Sequence, residues 1–580
     1  MDASSEIERL AALSRGFRER YLPYAEIAAQ LEAWAEAWPD LVRLRSIGTS
    51  HEGRPLWLIT IGREPDRRRP SLFVDGNMHA TELAGSSVAL AIAEDVLRLH
   101  LSPGEALHGL PEAMRARLRS ILVHVLPRTS PDGAECVLES ARYCRSNPRD
   151  RRPNRAHARW LAEDVDGDGL ALSMRRRDPA GEFVESTEVA GLMLPRTPFD
   201  DGPFYKIWPE GTIESFDGSS VPDPHFLSDN DVDLNRNFPW SWAPEPEQIG
   251  AGAFPGSEPE SRAIVEFVTA TPEIFAWVNY HTFGGVFIRP LGHQPDAKMD
   301  PFDLAIYHQI GAWAEELTGY PMVSGFEEFL YEPEKPLRGD LSDFGYHQRG
   351  ALSYVVELWD VFAQLGIARK KPFVDHYVSL EREDLVKLAK WDRSENAGRL
   401  IRPWKPVVHP QLGEVEVGGF DPRIGISNPP LEALPKVCAQ HAAHTLRVGA
   451  LSPAITASDV RKQTLEGDVH RLEITVRNEG YLPTHVLGAA KKLPWNEPLY
   501  ADVTTGPGLS LITPGEAHQE VGHLDGWGRG LKSDESSIFW LRSRGSSSER
   551  TLRWTVRGRG IFGIRIGSCR MGTIEVRVEI

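Results

Sequence analysis

The sequence predicts an α/β domain over residues 1–405 followed by a C-terminal β-sandwich, on three observations. Apolar, strand-like runs alternate with helical stretches as far as Leu400. From Val437 onward apolar and polar residues alternate in short runs bounded by turn residues. With 580 residues, 41% of them hydrophobic and 25% charged, the chain can fill two or three cores.

The elements follow in order. YAEIAAQLEAWAEAW, from Tyr24 to Trp38, repeats apolar residues at helical spacing until Pro39 stops it. LVRLRSIG and PLWLITIG read as strands on either side of a turn at Glu52 and Gly53. SLFVDGNMHA reads as a buried strand running into a loop, and ELAGSSVALAIAEDVLRLH as the long helix that leaves it. ILVHVLP, IFAWVNYH and ALSYVVELW are further strands, separated by helices such as SRAIVEFVTA and FDLAIYHQIGAWAEEL. In SEPE, Ser257 and Glu260 have the spacing of a helix-capping box. Residues 147–230 turn to Arg, Asp, Gly and Pro without periodicity and read as a loop-rich insertion. Residues 406–436 read as a linker, and 437–580 as the sandwich, with VHRLEITVRNEG, TLRWTVRGRG and GTIEVRVEI as strands.

A formal charge of −17 excludes the electrostatic footprint of a nucleic-acid or anionic-membrane binder. The first twenty residues mix acidic and basic side chains where a secretory signal needs an apolar run, and no later stretch is long and apolar enough to span a bilayer. The expectation is a cytoplasmic protein without an inhibitory pro-segment. Cys136, Cys144, Cys438 and Cys569 stand singly and read as free thiols.

In GNMHATELAG, His79 and Glu82 lie three apart at a strand-to-helix junction, where one turn of backbone aims an imidazole and a carboxylate at one point. The same spacing recurs at His470 and Glu473, but within an alternating strand those side chains face opposite ways. A catalytic zinc takes three protein ligands and keeps one open position. His281, closing the strand IFAWVNYH before Thr282, Phe283 and two glycines, is the candidate third ligand. Glu357 ends an apolar strand, a costly place for a carboxylate without a task or a partner.

HxxE, then NRN, then a strand-end His and a strand-end Glu: this order resembles the zinc metallocarboxypeptidases of the carboxypeptidase A and B type. The resemblance implies a mixed central sheet flanked by helices, one Zn2+ held by His79, Glu82 and His281, and Glu357 as general base. It gives Asn235 and Arg236 of DVDLNRNF the task of gripping a substrate carboxylate, and Asp233 that of orienting a zinc-bound histidine. ESARYCRSN matches the segment of the electrophilic arginine, which becomes Arg145 with Arg142 beside it. Cys144 and Ser146 replace the family's tryptophan and lysine there, and Arg175 in LSMRRRDP stands as a substitute for Arg145. Tyr331 is the nearest stand-in for the tyrosine that covers the substrate, Tyr346 reads as a packing residue, and Thr81 replaces a frequent arginine inside HxxE. Ser342 and Asp343 approach the specificity pocket. HPQLGEVEVGG resembles the continuation in a bacterial subgroup with an added β domain.

The implied partner is a peptide with a free C-terminal carboxylate. The alternatives are a zinc amidase, deacylase or cell-wall peptide hydrolase on the same scaffold, and a non-catalytic peptide-binding protein. Separately, Asp164, Asp166 and Asp168 in DVDGDG fit the opening of a calcium loop, with Arg175 at its closing position, and give an expectation of a partial structural Ca2+ site.

Overall fold

The computed structural model describes residues 3–149, 158–224, 232–332, 335–530, 539–540 and 543–580. Its centre is a mixed eight-stranded sheet. In chain order the strands are β1 (Val42–Thr49), β2 (Pro55–Ile61), β3 (Ser71–Gly76), β4 (Leu122–Leu126), β5 (Ile274–Thr282), β6 (Val286–Arg289), β7 (Met322–Ser324) and β8 (Leu352–Leu358). They lie in the order β1-β2-β4-β3-β5-β8-β6-β7, with β4, β3, β5 and β8 mutually parallel.

These four parallel strands are apolar on both faces because both faces are covered. Leu72, Val74, Ala276 and Val278 point into one core, shared with the helices Ala84–Leu101, Pro301–Thr318 and Leu434–Gly449. Phe73 and Trp277, one residue out of phase, point into the other, closed by the helix Pro259–Ala270. The unbroken apolar runs read in the sequence thus divide between two buried layers.

Three expectations need correction and one an addition. The helix Pro259–Ala270 starts after Glu258, not Ser257: Pro259 takes the first helical position and no side-chain cap forms. The insertion is loop-rich, as read, but also carries short strands that the sequence did not show. Its strands Ser173–Arg177, Phe183–Glu185, Met193–Pro195 and Phe204–Pro209 join a six-stranded sheet. Each is too short to leave a periodic signature. The remaining two strands of that sheet, Ile401–His409 and Gly413–Phe420, form a hairpin in the stretch read as the domain end and linker. The segment from Leu434 to Gly449 is a helix whose Leu434, Val437, Cys438, Ala442 and Leu446 recur at helical spacing and join the core on one face of the central sheet. The sandwich therefore begins at Ile455, with two four-stranded antiparallel sheets around Ile474, Trp554, Phe562 and Ile566.

The sandwich is plugged into the central sheet. Arg570, with no solvent exposure, donates to the carbonyl of Ile274 at the start of β5 (2.7 Å) and to those of Arg349 (2.8 Å) and Gly350 (3.2 Å), just before β8. No helix among the described residues is long and apolar enough to cross a membrane.

Candidate active site

Parallel strands deliver their carboxyl ends to one edge of the sheet, where α/β folds place their ligands. β3 ends at Gly76 and β5 runs beside it, while β5 pairs with β8 so that His281 lies directly opposite Glu357. Gly76 and Gly85 make room for the loop that follows β3. A Cβ on Gly76 would stand 2.4 Å from the Gly85 carbonyl oxygen, so the helix Ala84–Leu101 approaches the strand end only because both positions are glycine. His79 and Glu82 lie in the intervening loop, held there by the Ala80 N–H donating to the Arg145 carbonyl (2.7 Å).

His79, Glu82 and His281 converge, 3%, 4% and 0% exposed. His79 Nδ1 lies 2.7 Å from Glu82 Oε1, His281 Nδ1 lies 2.9 Å from Glu82 Oε2, and the two Nδ1 atoms are 3.0 Å apart. The outer nitrogens fix the tautomers. His79 Nε2–H donates to Asp233 Oδ1 (3.0 Å), and His281 Nε2–H donates to Asn279 Oδ1. With those protons placed, both Nδ1 atoms carry lone pairs aimed at each other and at a carboxylate. Three buried acceptors converging without a donor suit a cation, and the two-imidazole, one-carboxylate set suits zinc. Burial raises the Glu82 carboxyl, but when the two imidazoles take up protons in place of a cation their charge outweighs burial and lowers it.

Asp233, which accepts from His79, also accepts from Arg145 Nε (3.1 Å) and Nη2 (3.0 Å). Burial alone would raise its carboxyl, yet Arg145 and His79 hold it well below the usual range. Arg145 reaches to 3.6 Å from Glu82 Oε1, so it stands beside the ligand cluster despite the altered residues around it. Arg175 cannot replace it. That side chain belongs to the insertion sheet, where it pairs with Glu416 (2.7 Å) and Glu185 (2.9 Å) between Tyr205 and Trp404. Arg142 is not among the residues lining the cleft; its Nη2 meets the Pro148 carbonyl at 3.4 Å.

The cluster floors a cavity of about 190 Å³ that Asn235, Arg236, Tyr331 and Glu357 also line. Asn235 Oδ1 accepts from the Leu341 N–H (2.9 Å), and Arg236 Nη1 donates to the Asn235 carbonyl (2.7 Å). Glu357 Oε2 is buried with no hydrogen-bond partner among the described residues. Its carboxyl is raised well above the ordinary value by burial and then by the Glu82 charge, against Arg145 and Arg236. Tyr331 stands on the rim, 57% exposed. Tyr346 is buried and donates to Asp303 (2.8 Å), a packing role. Ser342 lines the cavity, whereas Asp343 turns away to accept from His293 (2.7 Å).

Sequence reasoning missed the supports. Asp75 accepts from Trp277 Nε1 (2.7 Å) and Asn279 Nδ2 (2.6 Å), which fixes the amide whose oxygen holds His281. Asn428 accepts from the Ala84 N–H and donates to the Thr81 carbonyl, both at 2.8 Å, clamping the HxxE loop from more than 300 residues away. Tyr377, a second tyrosine lining the cavity, donates to the Phe283 carbonyl (2.5 Å). Asp75, a carboxylate closing the apolar run Leu72–Val74, was the one visible signal. The expected calcium loop is not supported: Lys405 Nζ lies 3.3 Å from Asp166 and 2.7 Å from Asp168, placing an ammonium where a cation would sit.

Residues 454–579 match a domain family of unknown function. Mouse carboxypeptidase M is 25% identical over 255 residues, 39% of this chain and 54% of the relative, and carboxypeptidase E of Caenorhabditis elegans is 31% identical over 121 residues, 20% and 24% of the two chains. The matched stretches thus span about half or less of these relatives' own length. The crystal structure of thrombin activatable fibrinolysis inhibitor is similar with a TM-score of 0.43 and 16% identity, covering 75% of this chain and 78% of that one. Residues 27–365, more than half of the chain, match the family described as zinc carboxypeptidase, and the chain belongs to that family.

Proposed function

We propose that this protein is a zinc metallocarboxypeptidase that removes the C-terminal residue of peptides. One observation carries the reading: the metal-ligand set, a carboxylate with no hydrogen-bond partner among the described residues and the Asn235–Arg236 pair all line a single cavity. His79, Glu82 and His281 hold the zinc. When bound, the ion supplies Lewis-acid chemistry, polarising the scissile carbonyl and acidifying water. Glu357, close to the ligands and poised by burial to hold a proton, takes one from the attacking water and passes it to the departing amine nitrogen. Arg145 donates to the oxyanion as negative charge develops, with Asp233 keeping its guanidinium in place. Arg236 grips the terminal carboxylate of the peptide with its planar fork, and Asn235 donates alongside. Tyr331 covers the bound end from the rim.

The test is zinc content by elemental analysis, run with hydrolysis of matched free-carboxyl and C-terminally amidated peptides. One zinc per chain and cleavage confined to free-carboxyl peptides is the expected result. Zinc without peptide cleavage would replace this reading with that of an amidase on the same scaffold, and a folded chain that takes up no zinc would overturn both.

A further inference from the structure

On the opposite edge of the central sheet from the catalytic cavity lies a larger cleft of about 430 Å³ between the catalytic domain and the sandwich. Its catalytic-domain wall comes from the turn after β2 and the segment leading into β4 and carries Arg63, Arg67, Arg69, Arg117 and Arg119 against a single acid, Glu64. The sandwich wall, including Ile455, Thr456 and Met571, brings no charge. In a chain of net charge −17, five guanidiniums around one cavity with one carboxylate among them are an uncompensated concentration of like charge.

The arginines just outside the cleft are paired: Arg43 with Asp66 at 2.6 Å, and Arg68 with Glu273. Those inside are mostly not. Arg69 donates to the backbone carbonyls of Arg63, Glu64 (3.3 Å) and Arg67 (3.4 Å) but to no carboxylate among the described residues, where its buried Nε has no hydrogen-bond partner. Arg117 meets only the Glu479 carbonyl at 3.4 Å, and Arg67 reaches Glu64 at 3.4 Å. Arg119 alone has a close carboxylate, Glu112 at 2.7 Å. The neighbouring His100 reports the same field: burial, then Arg63, Arg119 and Arg69, push its imidazole down to about 4. Folds tolerate such local conflict where a ligand relieves it.

We propose that this cleft binds a small multivalent oxyanion, a phosphate- or carboxylate-bearing molecule, held by Arg63, Arg67, Arg69 and Arg117 across the junction of the two domains. Guanidinium forks present paired N–H groups to such oxygens, and the cavity is wide enough for more than one anionic group. Placed at the far edge of the sheet, the ligand does not compete with substrate, and by binding the folded chain it stabilises the fold.

The test is calorimetric titration of the full chain with pyrophosphate, with thermal unfolding in pyrophosphate, in citrate and in sodium chloride of matched ionic strength. One saturable site and a Tm rise beyond that in sodium chloride are expected. In the double variant Arg63→Glu, Arg67→Glu, at exposed positions, binding weakens by about tenfold or more while the ligand-free Tm stays that of the parent. Should that variant fail to fold, Arg63→Gln with Arg67→Gln carries the same test. A response to citrate equal to that to pyrophosphate supports a general oxyanion site; a response to pyrophosphate alone supports a phosphate site. A Tm shift fully reproduced by sodium chloride, no saturable binding, or a variant that binds as tightly as the parent would overturn the proposal.

Discussion

The chain carries the HxxE spacing twice, and the two copies do different things. In the loop after β3 the backbone turns between His79 and Glu82, and their side chains meet at 2.7 Å in a buried cluster. In the sandwich strand Val469–Asn478 the backbone is extended, so His470 faces inward to Thr464 (3.1 Å) while Glu473 faces outward to Arg553 (2.7 Å). Residue spacing becomes geometry only through the local secondary structure: three residues are one turn in the first place and an odd step along a pleat in the second.

The comparison breaks if the wrong copy matters. His79→Ala is expected to abolish zinc uptake and peptide hydrolysis, while His470→Ala leaves both at parental levels; elemental analysis and a hydrolysis assay decide. Glu357→Gln separates metal holding from proton transfer, with a full zinc complement and a kcat lower by about 10³-fold. Arg236→Ala acts on binding alone: the loss of a charge-assisted contact raises KM for free-carboxyl peptides by about 10- to 100-fold, with amidated controls unmoved. Asn279→Ala, which removes the acceptor for His281 Nε2, weakens zinc affinity by about 10-fold or more in a chelator competition.

A third carboxyl sharpens the contrast with a smaller effect. Glu82, buried but flanked by two imidazoles, is lowered by their charge when they are protonated, whereas Glu260, 1% exposed and with Oε2 unpartnered among the described residues, is pushed up to about 7 by burial and by Asp132 and Glu258. Because its folded-state value is raised, the folded chain holds more protons than the unfolded chain between pH 4.5 and 7. That contribution is fully present below the unfolded value and is lost as pH rises through this window. Glu260→Gln removes the slope, so its stability relative to the parent rises by at most about 3 kcal/mol from pH 4 to pH 8 in denaturant titrations.

What was legible in the sequence follows the same logic. The strands were readable because burial on both faces leaves unbroken apolar runs, and His281 and Glu357 stood out as polar residues closing them. Arg145 was identified by resemblance, and no local pattern could separate it from Arg175, since only the pairing of strands 241 residues apart commits Arg175 to Glu416. Asn428 and Asn279 gave no signal, because an amide that clamps a distant loop looks like any other loop or strand amide until the chain has folded. The helix Leu434–Gly449 was misread where its neighbours turn to β alternation, although its own apolar spacing was helical.

Arg570 gives the sandwich a bearing on the catalytic domain. Its guanidinium caps carbonyls at the starts of the two strands whose far ends carry His281 and Glu357. A chain cut before Ile455 would lose that cap, leaving the Ile274 and Gly350 carbonyls without it and Trp495 missing from the adjoining surface. The two parts are therefore joined in one cooperative unit: calorimetry of the intact chain would give a single endotherm, and the sandwich would act as a mechanical abutment against which the catalytic strands are set.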